Sequence, residues 1–586
     1  MLGSPSKTIK YCDIAFLLCF AAGLCFLIWR APFGFADSDE AFYLTVPYRL
    51  TMGDALIADE WHVSQLAGFL LLPAMRLYLL FSSGTEGMLL FFRYLCVAAQ
   101  GLSALFVYLR LRRLSPWGGL FAALTLLLYV PFNISALSYN SMGILLMGSA
   151  CVVLATAEEH MRRDMLLAGL LFAGAVLCCP HLVLLYAPYS ALMLGLLLRR
   201  RHGGKTVGEK SVFDFDSWLF FSLGAAALAL VFLLFLLSRA DIRTLVNSVL
   251  VIFIDPEHSD TTFFTKLFSY FESLFIVHDL ALPALCACGV LLAAVLFDKE
   301  SRGCRRSLYV LAAAAVCAVY YAPFLFEGLS PLYLIPEFTA PRYVNFIMFP
   351  FNILGLFAYL LSRERQRKLF ATVYIPGLVY SFCVHLSSNQ LFYNIASVAA
   401  VSLLASVVFI VRLISELSAQ GRRGKLLSLL LSVFIVAQLA AQVCFRADFV
   451  YEEAEQPSKL THTVSYGPEK GVRTTEEKAE TLYYDIYEAT QSIREKRDGK
   501  VLYYSERTWL YLADSKASAA YSAWLSFLNP DHSLTRLLYY WSTRPAQQAD
   551  YIFVSKDFEN AAEYAAALNL RGLPVTETPL GYIIGS

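Results

Sequence analysis

Asp37-Ser38-Asp39-Glu40-Ala41-Phe42-Tyr43 stands a few residues after an apolar run that ends at Trp29-Arg30. Carboxylates this close to hydrocarbon are costly to keep, so they mark a candidate functional site. Whether the run before them crosses a bilayer decides the fold. Residues 12–30 are long enough, because about 20 apolar residues cover a bilayer core. Lys7 and Lys10 precede the run, but no small-residue cleavage site follows it, so it reads as a retained anchor.

The same run length recurs along the chain. Of 586 residues, 58% are hydrophobic and 16% charged, and mean hydropathy is +0.56. Soluble domains carry about 25% charged residues. Candidate spans are 12–30, 87–109, 116–135, 138–156, 165–180, 182–198, 217–238, 276–297, 307–325, 343–361, 369–386, 395–416 and 426–445. Backbone polar groups in lipid must be satisfied within each segment, so the expected fold is an all-α polytopic membrane protein. The stretch 66–82 is also apolar, but Pro73 and Arg76 interrupt it. It reads as a helix lying at the interface. Net charge is +1, which gives no sign of a nucleic-acid partner. The 13 cysteines all lie at or before Cys444, none with zinc-finger spacing, and read as small buried hydrophobes.

Basic residues orient these spans. Arg110, Arg112 and Arg113, then Arg162 and Arg163, then Arg199 to Arg201 fall in alternate loops. Arg302, Arg305 and Arg306, then Arg363 to Lys368, then Arg422, Arg423 and Lys425 continue the pattern. The positive-inside rule puts these loops in the cytoplasm, the N-terminus inside and the C-terminus outside. Counting 66–82 as a span would reverse every later loop. Four polar loops then face outward: 31–86, 133–141, 239–275 and 326–342. The chemically useful residues gather there. No phosphate-loop or dinucleotide-binding glycine pattern occurs, so an activated group used outside must arrive on a lipid.

Residues 446–586 differ in composition and read as a small extracytoplasmic α/β domain after a transmembrane domain of residues 1–445. Candidate strands are 500–504 and 549–554, and helical patterns occupy 475–496 and 557–568. Tyr466-Gly467-Pro468-Glu469-Lys470-Gly471 reads as a structural turn. Trp509, Tyr511, Trp524 and Trp541 suit a core, and secondarily a surface that stacks on sugar rings.

One helix is followed by a long outer loop with Asp39-Glu40 and Gly53-Asp54, then by an interfacial helix. Phe92-Arg93-Tyr94-Leu95 opens the second span, which ends in Arg110-Leu111-Arg112-Arg113. This arrangement resembles the GT-C glycosyltransferases, in particular the branch of lipid A aminoarabinose transferases and protein O-mannosyltransferases. The resemblance implies about 13 transmembrane helices and a C-terminal extracytoplasmic domain. It also implies sugar transfer from a polyprenyl-phosphate donor to an extracytoplasmic lipid, glycan or protein of a bacterial cell envelope.

Asp39 matches the family's catalytic acidic position and is the expected general base, with Glu40 beside it orienting the loop or a metal. Asp37 and Ser38 are alternatively helix caps. Arg342-Tyr343 lies where the family contacts the donor phosphate, and an arginine can hold two phosphate oxygens. Arg239 and Arg243 are secondary phosphate candidates that read first as snorkelling side chains. Glu257-His258 resembles the family's metal-binding pair, with His62 as a further ligand for a divalent ion. Tyr139-Asn140 puts an amide where part of the superfamily has a second carboxylate, and Asn140 is a candidate substrate hydrogen-bonder. Gln65 ends a stretch, Trp61 to Gln65, that lacks the family's lysine. His181, after Cys179-Pro180, reads first as structural. A transporter or flippase of lipid-linked glycans is the alternative reading, and a non-catalytic scaffold a third. Transporters tend to place charges within spans and to show internal repeats, whereas this chain concentrates its charges in one outer loop.

Overall fold

The structure is a computed structural model. It describes residues 5–35, 37–82, 84–158, 160–201, 212–252, 262–325, 344–387, 390–453, 455–525 and 529–585. Helices dominate up to Asp448. In order they are α1 (Pro5–Arg30), α2 (Asp39–Thr51), α3 (Ala67–Phe81), α4 (Met88–Leu111), α5 (Pro116–Leu128), α6 (Tyr139–Thr156) and α7 (Met161–Cys178). Then come α8 (Val183–Arg201), α9 (Phe215–Leu237), α10 (Ile242–Ile252), α11 (Phe263–Ile276), α12 (Ala281–Phe297), α13 (Arg306–Leu325) and α14 (Val344–Leu361). Helical stretches Arg367–Leu386, Ala400–Ser418 and Arg422–Asp448 complete the membrane part.

Ten helices of the described residues are long and apolar enough to cross a membrane, and an eleventh span results if α11 and α12, bent by 96°, count as one. All thirteen expected segments are helical. The lower count has a chemical cause at α7 and α8. The first opens on Arg162-Arg163-Asp164 and the second ends on Arg199-Arg200-Arg201, so each apolar part is short. Helix α3 has 15 residues, roughly 22 Å at 1.5 Å per residue, less than a bilayer core. The outer segment 239–275 was expected to be loop. It instead contains α10 and the start of a bent pair, and α11 exposes Phe264, Phe268, Phe271 and Phe275 at helical spacing. All 13 cysteines are free, and five of them are exposed rather than buried, four of those on helices. In a membrane helix an exposed apolar face is a lipid-facing one.

Small residues set the closest helix approach. A Cβ added at Gly169 would lie 1.9 Å from the Phe221 carbonyl oxygen, and one at Gly224 would lie 2.1 Å from that of Leu166. Helices α7 and α9 therefore touch backbone to backbone, the means by which membrane helices pack when lipid supplies no hydrophobic drive.

After Asp448 the chain forms a five-stranded sheet of order β4-β3-β5-β7-β6 and a two-stranded ribbon. The ribbon is β1 (His462–Thr463) with β2 (Arg473–Thr474), and Gly467 and Gly471 take positive φ in its turn. The sheet strands are β3 (Lys500–Tyr504), β4 (Ala517–Ser518), β5 (Tyr551–Ser555), β6 (Val575–Glu577) and β7 (Gly581–Ile584). Strand β3 runs parallel to β4 and β5, while β7 is antiparallel to β5 and β6. Trp509, Tyr511 and Trp541 are buried in this core.

The sheet region is seated on the segment 31–86 that follows α1. Arg49 of α2 pairs with Asp54 at 2.7 Å and Glu60 at 2.8 Å, all three buried. Its Nη2 also donates to the carbonyls of Asp59 and Ala520 at 2.8 Å. Asp59 accepts from Tyr540, Gln547 and Arg544. Backbone bonds run from Trp61 to Tyr521 at 2.8 Å and from Arg473 to Pro32 at 2.7 Å. At the membrane boundary Arg30 donates to the carbonyls of Arg446 and Phe449, tying α1 to the last span.

Candidate active site

Helix α2 begins at Asp39, so this carboxylate stands on its first turn, where the exposed amide N–H groups favour negative charge. Ser38 occupies the cap position, but its side chain makes no capping bond. Its carbonyl accepts from Thr508 Oγ1 at 2.7 Å, and Asp37 accepts from Trp509 Nε1 at 2.8 Å. The capping expected of these two residues is replaced by contacts to the tail domain, which hold the start of α2 in place.

Asp39 borders a cavity of about 420 Å³. Tyr451, just past the last span, donates to Asp39 Oδ2 at 2.7 Å, and Tyr43 lies 3.5 Å from Oδ1. Two aromatic groups form walls. Phe42 meets His62 edge-on at 4.7 Å between centroids and Trp524 at 5.6 Å, and Tyr43 meets Tyr139 at 5.8 Å. Asn140, at the start of α6, and Tyr393 and Asn394, on the short helix Leu391–Ser397, close the cavity from the membrane part. Helix α6 starts where it does because Ser138 and Ser141 cap each other reciprocally, which fixes Tyr139 and Asn140 at its first two positions.

Of the candidate residues, Asp39, His62, Tyr139 and Asn140 share this cavity. Glu40 is placed elsewhere. It is buried and bidentate to Arg93, at 2.7 and 2.6 Å, and Arg93 also donates to the carbonyls of Ala31 and Gly34. Gln65 is buried away from the cavity and accepts from the Ile57 amide, whose residue takes φ +70°. Arg243 is exposed near the start of α10, and Arg239 lies over the Phe235 ring. His181 bonds Ser387 Oγ at 2.9 Å, and Ser387 lies on the cavity wall. Arg342, Tyr343, Glu257 and His258 lie outside the described residues.

His62 Nδ1 lies 2.7 Å from Ser64 Oγ. Among the described residues, no group of three or more His, Cys, Asp or Glu comes together in a way that could hold a metal.

Tyr451, Tyr393 and Asn394 carry no sequence signal that separates them from the many other tyrosines and asparagines, whereas Trp524, one of four aromatics read as core or sugar-stacking, lines the cavity. Position alone marks Tyr451, since it follows a span that ends beside the first outer loop. Glu469, in the ribbon turn, is fully buried, and neither of its carboxylate oxygens has a hydrogen-bond partner. Burial, with Glu40 nearby, pushes its carboxyl well above the usual range.

No family model matches this chain, and no curated protein does. Solved structures of the Archaeoglobus fulgidus oligosaccharyltransferase are similar to it over most of its length. AglB in complex with an inhibitory peptide and a dolichol-phosphate is 14% identical, covers 95% of this chain and 71% of its own, and has a TM-score of 0.45. The apo form is 11% identical over 97% and 74% of the two chains, with a TM-score of 0.44. The form tethered to an acceptor peptide containing the NVT sequon is 13% identical over 97% and 74%, with a TM-score of 0.45. At this identity and superposition the likeness concerns the course of the chain and transfers no residue role.

Proposed function

We propose that this chain is an integral-membrane glycosyltransferase of the GT-C type. It moves a sugar from a polyprenyl-phosphate donor to an acceptor on the outer face of a bacterial plasma membrane. The observation that carries this reading is Asp39 on the wall of a cavity of about 420 Å³, between the membrane helices and the outer domain. The sequence resemblance of the first outer loop gives the reaction class. An acceptor O–H attacks the anomeric carbon from the face opposite the phosphate. The bond from that carbon to the phosphate oxygen breaks, and its electron pair leaves with the polyprenyl phosphate. The acceptor proton passes to Asp39, and the anomeric configuration inverts. A positioned base of this kind contributes about 10²–10⁴-fold.

Tyr451 keeps Asp39 aimed into the cavity by its 2.7 Å hydrogen bond. For the leaving phosphate, Arg342 and Tyr343 remain the candidates by position. Lys266 stands by the cavity rim, donating to the carbonyl of Leu386 at 2.9 Å, next to the cavity-lining Ser387.

The test is transfer from radiolabelled polyprenyl-phosphoryl sugars in membranes that contain wild-type chain or Asp39→Asn. Asp39→Asn loses at least about 100-fold at equal abundance. Equal activity of the two removes Asp39 from the chemistry. Transfer of intact lipid-linked sugar across the membrane without bond cleavage favours the flippase reading instead.

A further inference from the structure

Two amide side chains on the cavity wall have hydrogen-bonding atoms that the protein leaves unmatched. Asn140 Oδ1 and Asn394 Nδ2 are both buried without a partner, and the two residues are 4% and 1% exposed. A buried amide group without a partner costs about 1–3 kcal/mol, and such groups in a folded protein call for an explanation. Neither amide is needed to build its helix. Helix α6 is capped by Ser138 and Ser141, and the helix Leu391–Ser397 is held by Tyr393, which donates to the Phe132 carbonyl at 3.0 Å.

The rest of the wall indicates what these atoms await. Phe42, Trp524, Tyr43 and Tyr139 supply ring faces and edges on the same cavity. Among the described residues no lysine or arginine lines it, and Asp39 is its one carboxylate. A sugar uses aromatic faces for its C–H surface and polar side chains for its hydroxyls. Both atoms are closed to water as the side chains stand, so a turn of each amide about χ2 brings it to a ligand. A hydroxyl donates and accepts, so it then matches the acceptor of one amide and the donor of the other. The match also survives exchange of O and N in either amide. An ammonium group satisfies acceptors only, and it would pair with Asp39 and remove the base. A sugar carboxylate satisfies donors only, and it would be repelled by Asp39.

We infer that Asn140 and Asn394 form the polar half of a subsite for a neutral, hydroxyl-bearing pyranose. This assignment rests on the reading of the cavity as a glycosyl-transfer site and names the class of sugar held there. The same chemistry suits the donor's sugar or a sugar of the acceptor, and the experiment separates the two.

Purified full-length chain in detergent is titrated with farnesyl-phosphoryl glucose, mannose and galactose as donor probes, and with free neutral disaccharides as acceptor probes. Farnesyl-phosphoryl glucuronate and an amino-sugar counterpart serve as charged probes. The variants are Asn140→Leu and Asn394→Leu, with Asn140→Ala and Asn394→Ala measured in the same way should a leucine variant fail to fold. At least one neutral probe binds wild-type chain, and each variant weakens it about tenfold or more. Thermal stability without ligand stays the same or rises, because an unmatched polar group has been removed from a buried position; amides with only a structural role would lower it. Binding unchanged in the variants, tighter binding of a charged probe, or variants that lose stability and keep affinity each overturn the subsite. Asp39→Asn keeps probe binding and loses transfer. If binding depends on the amides but no transfer is found, the catalytic reading falls and the subsite stands. If transfer depends on Asp39 and the amides have no effect, the subsite falls alone.

Discussion

Replacing Glu40 by glutamine separates the two carboxylates that the sequence places side by side. Arg93 makes four short bonds: Nε to Glu40 Oε1 at 2.7 Å, Nη2 to Glu40 Oε2 at 2.6 Å, Nη1 to the Ala31 carbonyl at 3.0 Å and Nη2 to the Gly34 carbonyl at 2.7 Å. Both side chains are 5% exposed. Glu40→Gln keeps one acceptor, but it turns an amide N–H2 toward the guanidinium and leaves a buried cation without its anion, a cost of about 3–5 kcal/mol. Arg93→Met leaves a buried carboxylate without its cation, a cost of about 3–5 kcal/mol. At about 1.4 kcal/mol per tenfold, that lowers the folded-to-unfolded ratio by about two to four orders of magnitude. The double change Glu40→Leu with Arg93→Met costs less than Arg93→Met alone, because no charge is stranded. Unfolding in SDS mixed micelles, followed by tryptophan fluorescence, measures the ratio, and transfer is normalised to folded protein. Glu40→Gln retains transfer within a few-fold, against a loss of about 10²–10⁴ for Asp39→Asn. If Glu40→Gln loses as much as Asp39→Asn per folded molecule, Glu40 takes part in the chemistry and the assignment of the pair to architecture is wrong.

Arg49→Met strands buried Asp54 and Glu60; it lowers stability by about 3–5 kcal/mol and exposes the tail domain to protease, measured by limited trypsinolysis. Tyr451→Phe removes the 2.7 Å donor to Asp39; kcat falls about tenfold with KM unchanged, read from steady-state transfer kinetics. Glu469 holds its proton in the folded chain well above the ordinary value of 4.5, so the unfolded chain binds fewer protons between the two values. Its contribution to stability is therefore complete at low pH and declines as pH rises toward the raised value. Glu469→Gln abolishes that decline, which SDS titrations at pH 5 and pH 9 detect.

Hydropathy made the membrane part legible because bilayer thickness fixes the length of an apolar run. The strands at 500–504 and near 549–554 were legible from β-branched and aromatic clusters bounded by polar turns. Of the residues singled out in the sequence, Asp39, His62, Tyr139 and Asn140 line one cavity. Nothing in the sequence marks Arg49, yet it is the cation that pairs with both Asp54 and Glu60. Its partners are 5 and 11 positions away across a turn with no periodic signal. Tyr451 and Trp524 make contacts that were opaque for a different reason. Each meets first-loop residues more than 400 positions away, Asp39 and Phe42, and a single sequence carries no record of that pairing. Asn394 sits in a seven-residue helix between spans, too short for hydropathy to register.

The wall around Asp39 is finished by Tyr451 and Trp524, which the ribosome adds more than 400 residues after it. Until that late segment folds back, Asp39 lacks its tyrosine partner and the cavity one of its sides. A prematurely terminated chain thus carries an unfinished cavity even when its helices are already formed. Synthesis from one end to the other leaves this cavity open until the last quarter of the polypeptide is in place.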